Sequence, residues 1–323
     1  MKMTQTSRML ALLAATSLAF TAVACGGKQT SESARVDDNP LRASRAASEF
    51  PAFGDPAKVT LIEAGSGEKS EIRWIGKVGE GTTMKITMDM NMSMQAAQMG
   101  NQDIDMKMMM DVDGKITELK DDGHMVITLT VKDADLNMPQ LAAMGDADAA
   151  KKVFRDMMKS MIIETTIDPR GVTSTTEIKG LDPSMAQMMG GMDQSFDQMG
   201  IPFPAAAIGV GAKWEALAQQ EANGIKVRVA TTYELTKFDG TNGTLKMTVQ
   251  QFADPQKMNV GMMSGDLKKL RSNGSGEMQF NVNEPMMGAI DMKLKMDMDM
   301  KATAMGETLD LVSKTSIAMK VTK

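Results

Sequence analysis

Apolar and polar residues alternate one for one along much of this chain. Met84, Ile86, Met88, Met90, Met92 and Met94 take every second position, with Lys85, Thr87, Asp89, Asn91 and Ser93 between them. Met292, Leu294, Met296, Met298 and Met300 repeat the arrangement, interleaved with Lys293, Lys295, Asp297, Asp299 and Lys301. A period of two puts one set on each face of an extended strand. Clean alternation of this kind belongs to antiparallel sheet with one wet face. Turn chemistry supports it. Asp121-Asp122-Gly123 separates Ile116–Lys120 from Met125–Val131, and Asp239–Gly243 separates Val227–Phe238 from Leu245–Gln251. Asp-Gly and Asn-Gly pairs tolerate the positive φ of tight hairpins. Asn223-Gly224 and Asp168-Pro169-Arg170-Gly171 predict two further turns.

Helical periodicity is confined to two places. Ala149, Val153, Phe154, Met157, Met158 and Met161 form a stripe within Asp146–Met161. Asp182-Pro183 opens a second helix over Ser184–Gln198, with proline at its favoured first position. The expectation is a mainly β body with α insertions: a curved antiparallel sheet, half-barrel-like, its apolar face covered by the helices.

The chain also echoes itself. Met84–Met90 matches Met292–Met298, Met99-Gly100 parallels Met305-Gly306, and Val78-Gly79 parallels Val210-Gly211. Two accounts stand: an internal duplication with halves 58–200 and 201–323, or the recurring grammar of amphipathic hairpins.

The N-terminus differs from the body. Lys2 and Arg8 precede a short apolar run that ends in Ala22-Val23-Ala24-Cys25-Gly26. The run is shorter than the ~20 residues a membrane-spanning helix needs, so a cleaved signal is expected over 1–24. Cys25 is the only cysteine, which rules out an intrachain disulfide. Ala22–Cys25 resembles the bacterial lipobox. That resemblance implies cleavage before Cys25 and acylation there, with no cofactor beyond this covalent lipid. It also implies a membrane partner through the anchor and residence in the bacterial cell envelope. Gly26, where Asp would signal inner-membrane retention, favours the outer membrane. Residues 25–57 are small and polar and read as a flexible tether to a body over 58–323.

The formal charge is −5, from 36 Lys and Arg against 41 Asp and Glu. There is no basic stripe, so nucleic acid is not an expected partner.

Ile201-Pro202-Phe203-Pro204, followed by Ile208-Gly209-Val210-Gly211-Ala212-Lys213-Trp214, is similar to a proline, spacer, Val-x-x-Gly-x-x-Trp signature. With the lipobox and the Met-Asp-Met strands, it resembles a family of uncharacterised bacterial lipoproteins. That family brings no catalytic residues. The architecture is also distantly similar to half-barrel periplasmic carriers of lipids and lipoproteins.

Methionine is the compositional outlier, at 37 of 323 residues. Three uses are open. Met is flexible and polarizable and can form an ordinary core. It can line a face for a hydrophobic ligand, for which Met84, Met88, Met90, Met296 and Met298 are the candidates. Its soft thioethers can bind Cu(I) or Ag(I), through Met88, Met90 and Met106 with His124, the only histidine. Met108, Met109 and Met110 crowd the same strand as Met106. A purely structural or partner-binding lipoprotein is the third class.

No enzyme is expected. There is no Gly-x-Ser-x-Gly elbow. Gly65–Ser70 imitates a phosphate loop, but Glu68 stands where glycine is needed and Glu71–Lys77 reads as strand, so a hairpin turn is predicted instead. Asp111-Val112-Asp113-Gly114 lacks later calcium ligands and reads as a bulge or turn. Trp74 and Trp214, the only tryptophans, are expected to anchor separate parts of the core.

Overall fold

A computed structural model describes residues 42–96, 100–142, 147–181, 200–222, 225–260, 263–286, 288–304 and 307–323. The sequence features at 1–41, including Cys25, lie outside these residues. So do the helix expected over Ser184–Gln198, the Asn223-Gly224 turn, and Met99, Met305 and Gly306.

Fifteen strands occur among the described residues: β1 (Lys58–Glu63), β2 (Ser66–Ser70), β3 (Gly81–Ala96), β4 (Gly100–Leu119), β5 (Met125–Asn137), β6 (Ile162–Ile167), β7 (Thr173–Lys179), β8 (Ile208–Val210), β9 (Lys213–Ala222), β10 (Ile225–Phe238), β11 (Asn242–Ala253), β12 (Gln256–Val260), β13 (Met263–Asn281), β14 (Ile290–Ala304) and β15 (Glu307–Thr322). Helices α1 (Pro139–Ala142) and α2 (Ala147–Ser160) separate β5 from β6.

Thirteen strands form one antiparallel sheet in the order β1-β9-β10-β11-β13-β14-β15-β3-β4-β5-β6-β7, with β12 paired beside β13. The sheet is not closed into a barrel; β1 and β7 are its ends. It is nonetheless strongly curved. Thr173 and Ser174 of β7 line a cavity of about 60 Å³ together with Ala216 of β9 and Val229 of β10, which lie at the other end of the order.

The alternation in the sequence appears directly as burial. Along β3 every residue from Met84 to Ala96 at an even position is buried, and none at an odd position is. The concave face is therefore apolar and the convex face carries the ions. Lys107 reaches Asp89 at 3.5 Å and Lys268 reaches Asp299 at 3.7 Å on that convex side.

The two sequence halves are two meanders, β3–β7 and β9–β15, fused where β15 pairs β3. They also exchange elements, because β1 pairs β9 and β2 pairs β8. The Val-Gly echo is one structural device used twice. Gly79 N–H donates to Ile116 C=O and Ile116 N–H to Glu80 C=O; Gly211 N–H donates to Leu235 C=O and Leu235 N–H to Ala212 C=O. Both glycines have positive φ, 93° and 85°, which a side chain would resist.

Several expectations need correction. Gly65–Ser70 is not a hairpin turn; Ser66–Ser70 is a strand that pairs β8 in a separate two-stranded sheet. Glu71–Lys77 is not a strand. Trp74 N–H bonds Pro169 C=O and Ile75 N–H bonds Val282 C=O, so the segment bridges two different loops instead of following one neighbour. The predicted helical stripe is narrower than expected. Phe154, Met157, Met158 and Met161 face the core, while Ala149 and Val153 are exposed. Asp111–Gly114 lies within β4, and the irregularity is a bulge in β5 opposite it, where Lys132 is the extra residue and reaches Asp113 at 3.0 Å.

Part of the stretch expected as tether is packed against the sheet. Residues 42–50 dock on the convex side of β9–β11. Ala43 and Phe50 pack with Leu217 and Ala230. Arg42 and Arg45 bond the buried Glu215 carboxylate at 2.9 and 3.0 Å. Arg228 donates to Arg45 C=O and to Asp254.

Candidate functional site

The five methionines proposed for an apolar ligand share the concave face. Met84, Met88 and Met90 stand on β3, Met296 and Met298 on β14, and all five are buried. They do not touch as one cluster from these strands alone, because β15 runs between them. β15 is the further strand after Met305-Gly306, and its Leu309, Leu311, Ser313, Thr315, Ile317, Met319 and Val321 alternate as plainly as β3 does.

The register sets out the face row by row. Met292, Met319, Met88 and Met108 are successive partners across β14, β15, β3 and β4. The next row is Leu294, Ile317, Met90 and Met106, and the one after it Met296, Thr315, Met92 and Ile104. Directly opposed residues lie ~5 Å apart at Cβ, so side chains within a row are in reach of one another. On β13 the face is thinned to Ser272, Gly274 and Gly276. The Met292 methyl lies 2.9 Å from where a Gly274 Cβ would be, so this thioether leans into the space that glycine leaves.

The His124 copper proposal does not assemble. Met90 and Met106 are direct partners, but His124 sits in the β4–β5 turn, about 40 Å along β4 from Met106. There its Nδ1 lies 2.9 Å from the Asp122 carboxylate. The His124 N–H foremost, and then that side-chain contact, hold the Asp122 carboxyl below its ordinary range. Met109, counted with the crowded methionines, is exposed on the convex side. No group of three His, Cys, Asp or Glu suited to a metal occurs among the described residues.

One end of the concave face is closed by an aromatic cluster. The Trp74 and Phe203 rings lie 5.5 Å apart, Phe203 and Phe280 5.2 Å, and Trp214 stacks on Tyr233 at 5.3 Å. Phe203 also approaches Trp214, at 6.0 Å, so the two tryptophans belong to one cluster and not to separate parts of the core. Trp214 Nε1 donates to Pro202 C=O at 2.8 Å, and Arg73 donates to Pro204 and Ala205 C=O. The proline and tryptophan of the sequence signature are therefore parts of this closure. Met84 lines a cavity of about 50 Å³ beneath it, with Trp74, Ile127, Ile167, Met278 and Met286.

No protein-family model matches the chain, and no curated protein matches it. Among solved structures, a mutant of the Rh. blastica porin is similar at 9% identity and a TM-score of 0.24, covering 75% of this chain and 100% of the porin. A triple mutant of the Rhodopseudomonas blastica porin gives the same values. A third, titled for asymmetric conductivity of engineered proteins, has a TM-score of 0.22. At such scores the likeness carries no argument.

Proposed function

We propose that this chain is a non-enzymatic, lipid-anchored protein of the bacterial envelope that holds an apolar ligand against its concave thioether face. The outer membrane is the favoured site, from Gly26 after Cys25. The observation that carries the reading is chemical. Over Leu270–Met278, Ile290–Ala302, Leu309–Val321, Met84–Ala96 and Ile104–Ile116 the concave side has no charged side chain, and methionine dominates it.

Methionine is a weaker strand former than Val or Ile. Its use here suits a wall that must change shape, because three rotatable bonds let a thioether move aside. The two cavities described above are small, so a ligand would enter by displacing these side chains. Arg42 follows Cys25 by 17 positions, a reach of about 60 Å at full extension. That reach, with 42–50 docked on the sheet, keeps the body close to the anchoring membrane.

A soft-metal reading is favoured by one observation, the four-thioether row of Met292, Met319, Met88 and Met108. Native mass spectrometry of the full chain, extracted in mild detergent from the cells that express it, tests both. Acyl-lipid adducts beyond the Cys25 modification are expected. A copper or silver adduct would favour the thioether row instead, and an adduct-free protein would overturn both readings.

A further inference from the structure

The concave face holds three hydroxyls that bond to nothing. Ser272, Ser313 and Thr315 are 0, 2 and 2% exposed, and their oxygens have no hydrogen-bond partner. Buried hydroxyls are normally satisfied, and one left without a partner costs stability. Alanine or valine would fill these positions without that cost.

The three are not scattered. Thr315 is the register partner of Met296 and Met92, and Ser313 of Met298 and Met94. Ser272 pairs with the other side of Met296. Ser313 and Thr315 are same-face neighbours about 7 Å apart, and Ser272 lies two strands, about 10 Å, from Thr315. A small polar patch thus sits inside the thioether wall, and its register partners Met92, Met94, Met296 and Met298 are uncharged.

We infer that Ser272, Ser313 and Thr315 form the polar subsite for an uncharged acyl ester lipid, whose chains lie against Met92, Met94, Met296 and Met298. The inference rests on the apolar-ligand reading above and names its ligand class. Hydroxyls donate to ester carbonyls without a change of charge. A phosphate or carboxylate would enter a low-dielectric site with no counter-ion, which disfavours it. The spacing exceeds one carbonyl and suits a lipid with more than one ester group.

The test compares dipalmitoylglycerol with its dialkyl ether analogue, which keeps the chains and lacks the carbonyls. Both are titrated into the full-length protein in detergent micelles. The wild type is expected to prefer the diester by roughly tenfold, as lost hydrogen bonds of ordinary strength would give. The combined variant Ser272→Ala, Ser313→Ala, Thr315→Val is expected to lose that preference and bind the ether analogue as the wild type does. Thr315→Val alone, the most conservative change, should reduce it partly.

Equal binding of the two probes by the wild type would overturn the subsite and leave an apolar face. A variant that kept the full preference would do the same. Binding of neither probe would overturn the subsite and the apolar-ligand reading together.

Discussion

At the end of the sheet that carries the 120–124 and 239–241 turns, Trp74, Phe203, Trp214, Tyr233 and Phe280 meet ring against ring. Further along the strands the same concave face has no ring and is dominated by Met, with Leu, Ile, Ser and Thr among it. Both regions are buried, yet they hold together differently. The aromatic end is fixed by named hydrogen bonds, such as Trp214 Nε1 to Pro202 C=O, and by rings with two torsions each. The thioether region has the adaptable side chains and the three unpartnered hydroxyls. Depth of burial is alike in the two regions; the freedom of their side chains and the satisfaction of their polar atoms differ.

Substitution is the harshest way to break this comparison. Trp214→Ala should cost about 3–5 kcal/mol, since the side chain is fully buried and leaves a cavity. Met88→Leu, on the thioether face, should cost less than about 1.5 kcal/mol because volume is nearly kept and neighbours can repack. Urea unfolding monitored by circular dichroism reads both. Equal losses would mean the thioether face is as tightly specified as the aromatic end.

The convex latch comes next. Glu215→Ala leaves Arg42 and Arg45 without their buried carboxylate and should cost about 2 kcal/mol, discounted from a fully buried pair because both arginines are partly exposed. Trypsin should then cut after Arg42 and Arg45 faster than in the wild type, while ligand retention on the concave side stays unchanged. Unchanged cleavage would show that the Glu215 ion pairs do not hold this segment in place.

The strand faces were the legible part of the molecule. Met84–Met94 and Met292–Met300 state their own orientation, because a side-chain period of two has one physical reading in a half-wet sheet. Both long hairpins announced their turns through Asp-Gly. What sequence did not disclose depends on partners far apart in the chain. Glu71–Lys77 has strand-like composition, but its bonds go to Pro169 and Val282. Residues 42–50 look like linker, and only Glu215, Leu217 and Ala230 on a distant hairpin give them a surface. The candidate face was legible in its methionines and not in its polar atoms. That Ser313 and Thr315 point inward follows from the alternation of β15; that they lack partners needs the strands on either side of it.

Removing a hydroxyl should act in the opposite direction to removing a ring. Ser313→Ala takes away a buried oxygen that bonds to nothing, so stability should rise, by about 1 kcal/mol. Thermal unfolding of the ligand-free protein reads it. A fall of similar size would place a water on that hydroxyl and weaken the contrast between the two regions.

The smallest expected effect concerns acid. Asp239 turns β10 into β11 beside the Phe238 ring, which stacks on Phe280 at 6.0 Å. Its carboxylate accepts from Asn242 N–H at 2.7 Å and Thr241 N–H at 2.9 Å. These bonds, the one from Asn242 foremost, hold its pKa below the ordinary 3.8. A depressed folded value means that the contribution is fully present above 3.8 and is lost as pH falls through the folded value. Asp239→Ala should therefore unfold earlier than the wild type at pH 6, and the gap should narrow in strong acid. Among the described concave residues of Met84–Ala96, Ile290–Ala302 and Leu309–Val321 there is no carboxylate, so ligand retention there should not follow the same curve. A retention profile that fell together with the Asp239 titration would tie the thioether region to the turn end and remove the independence of the two.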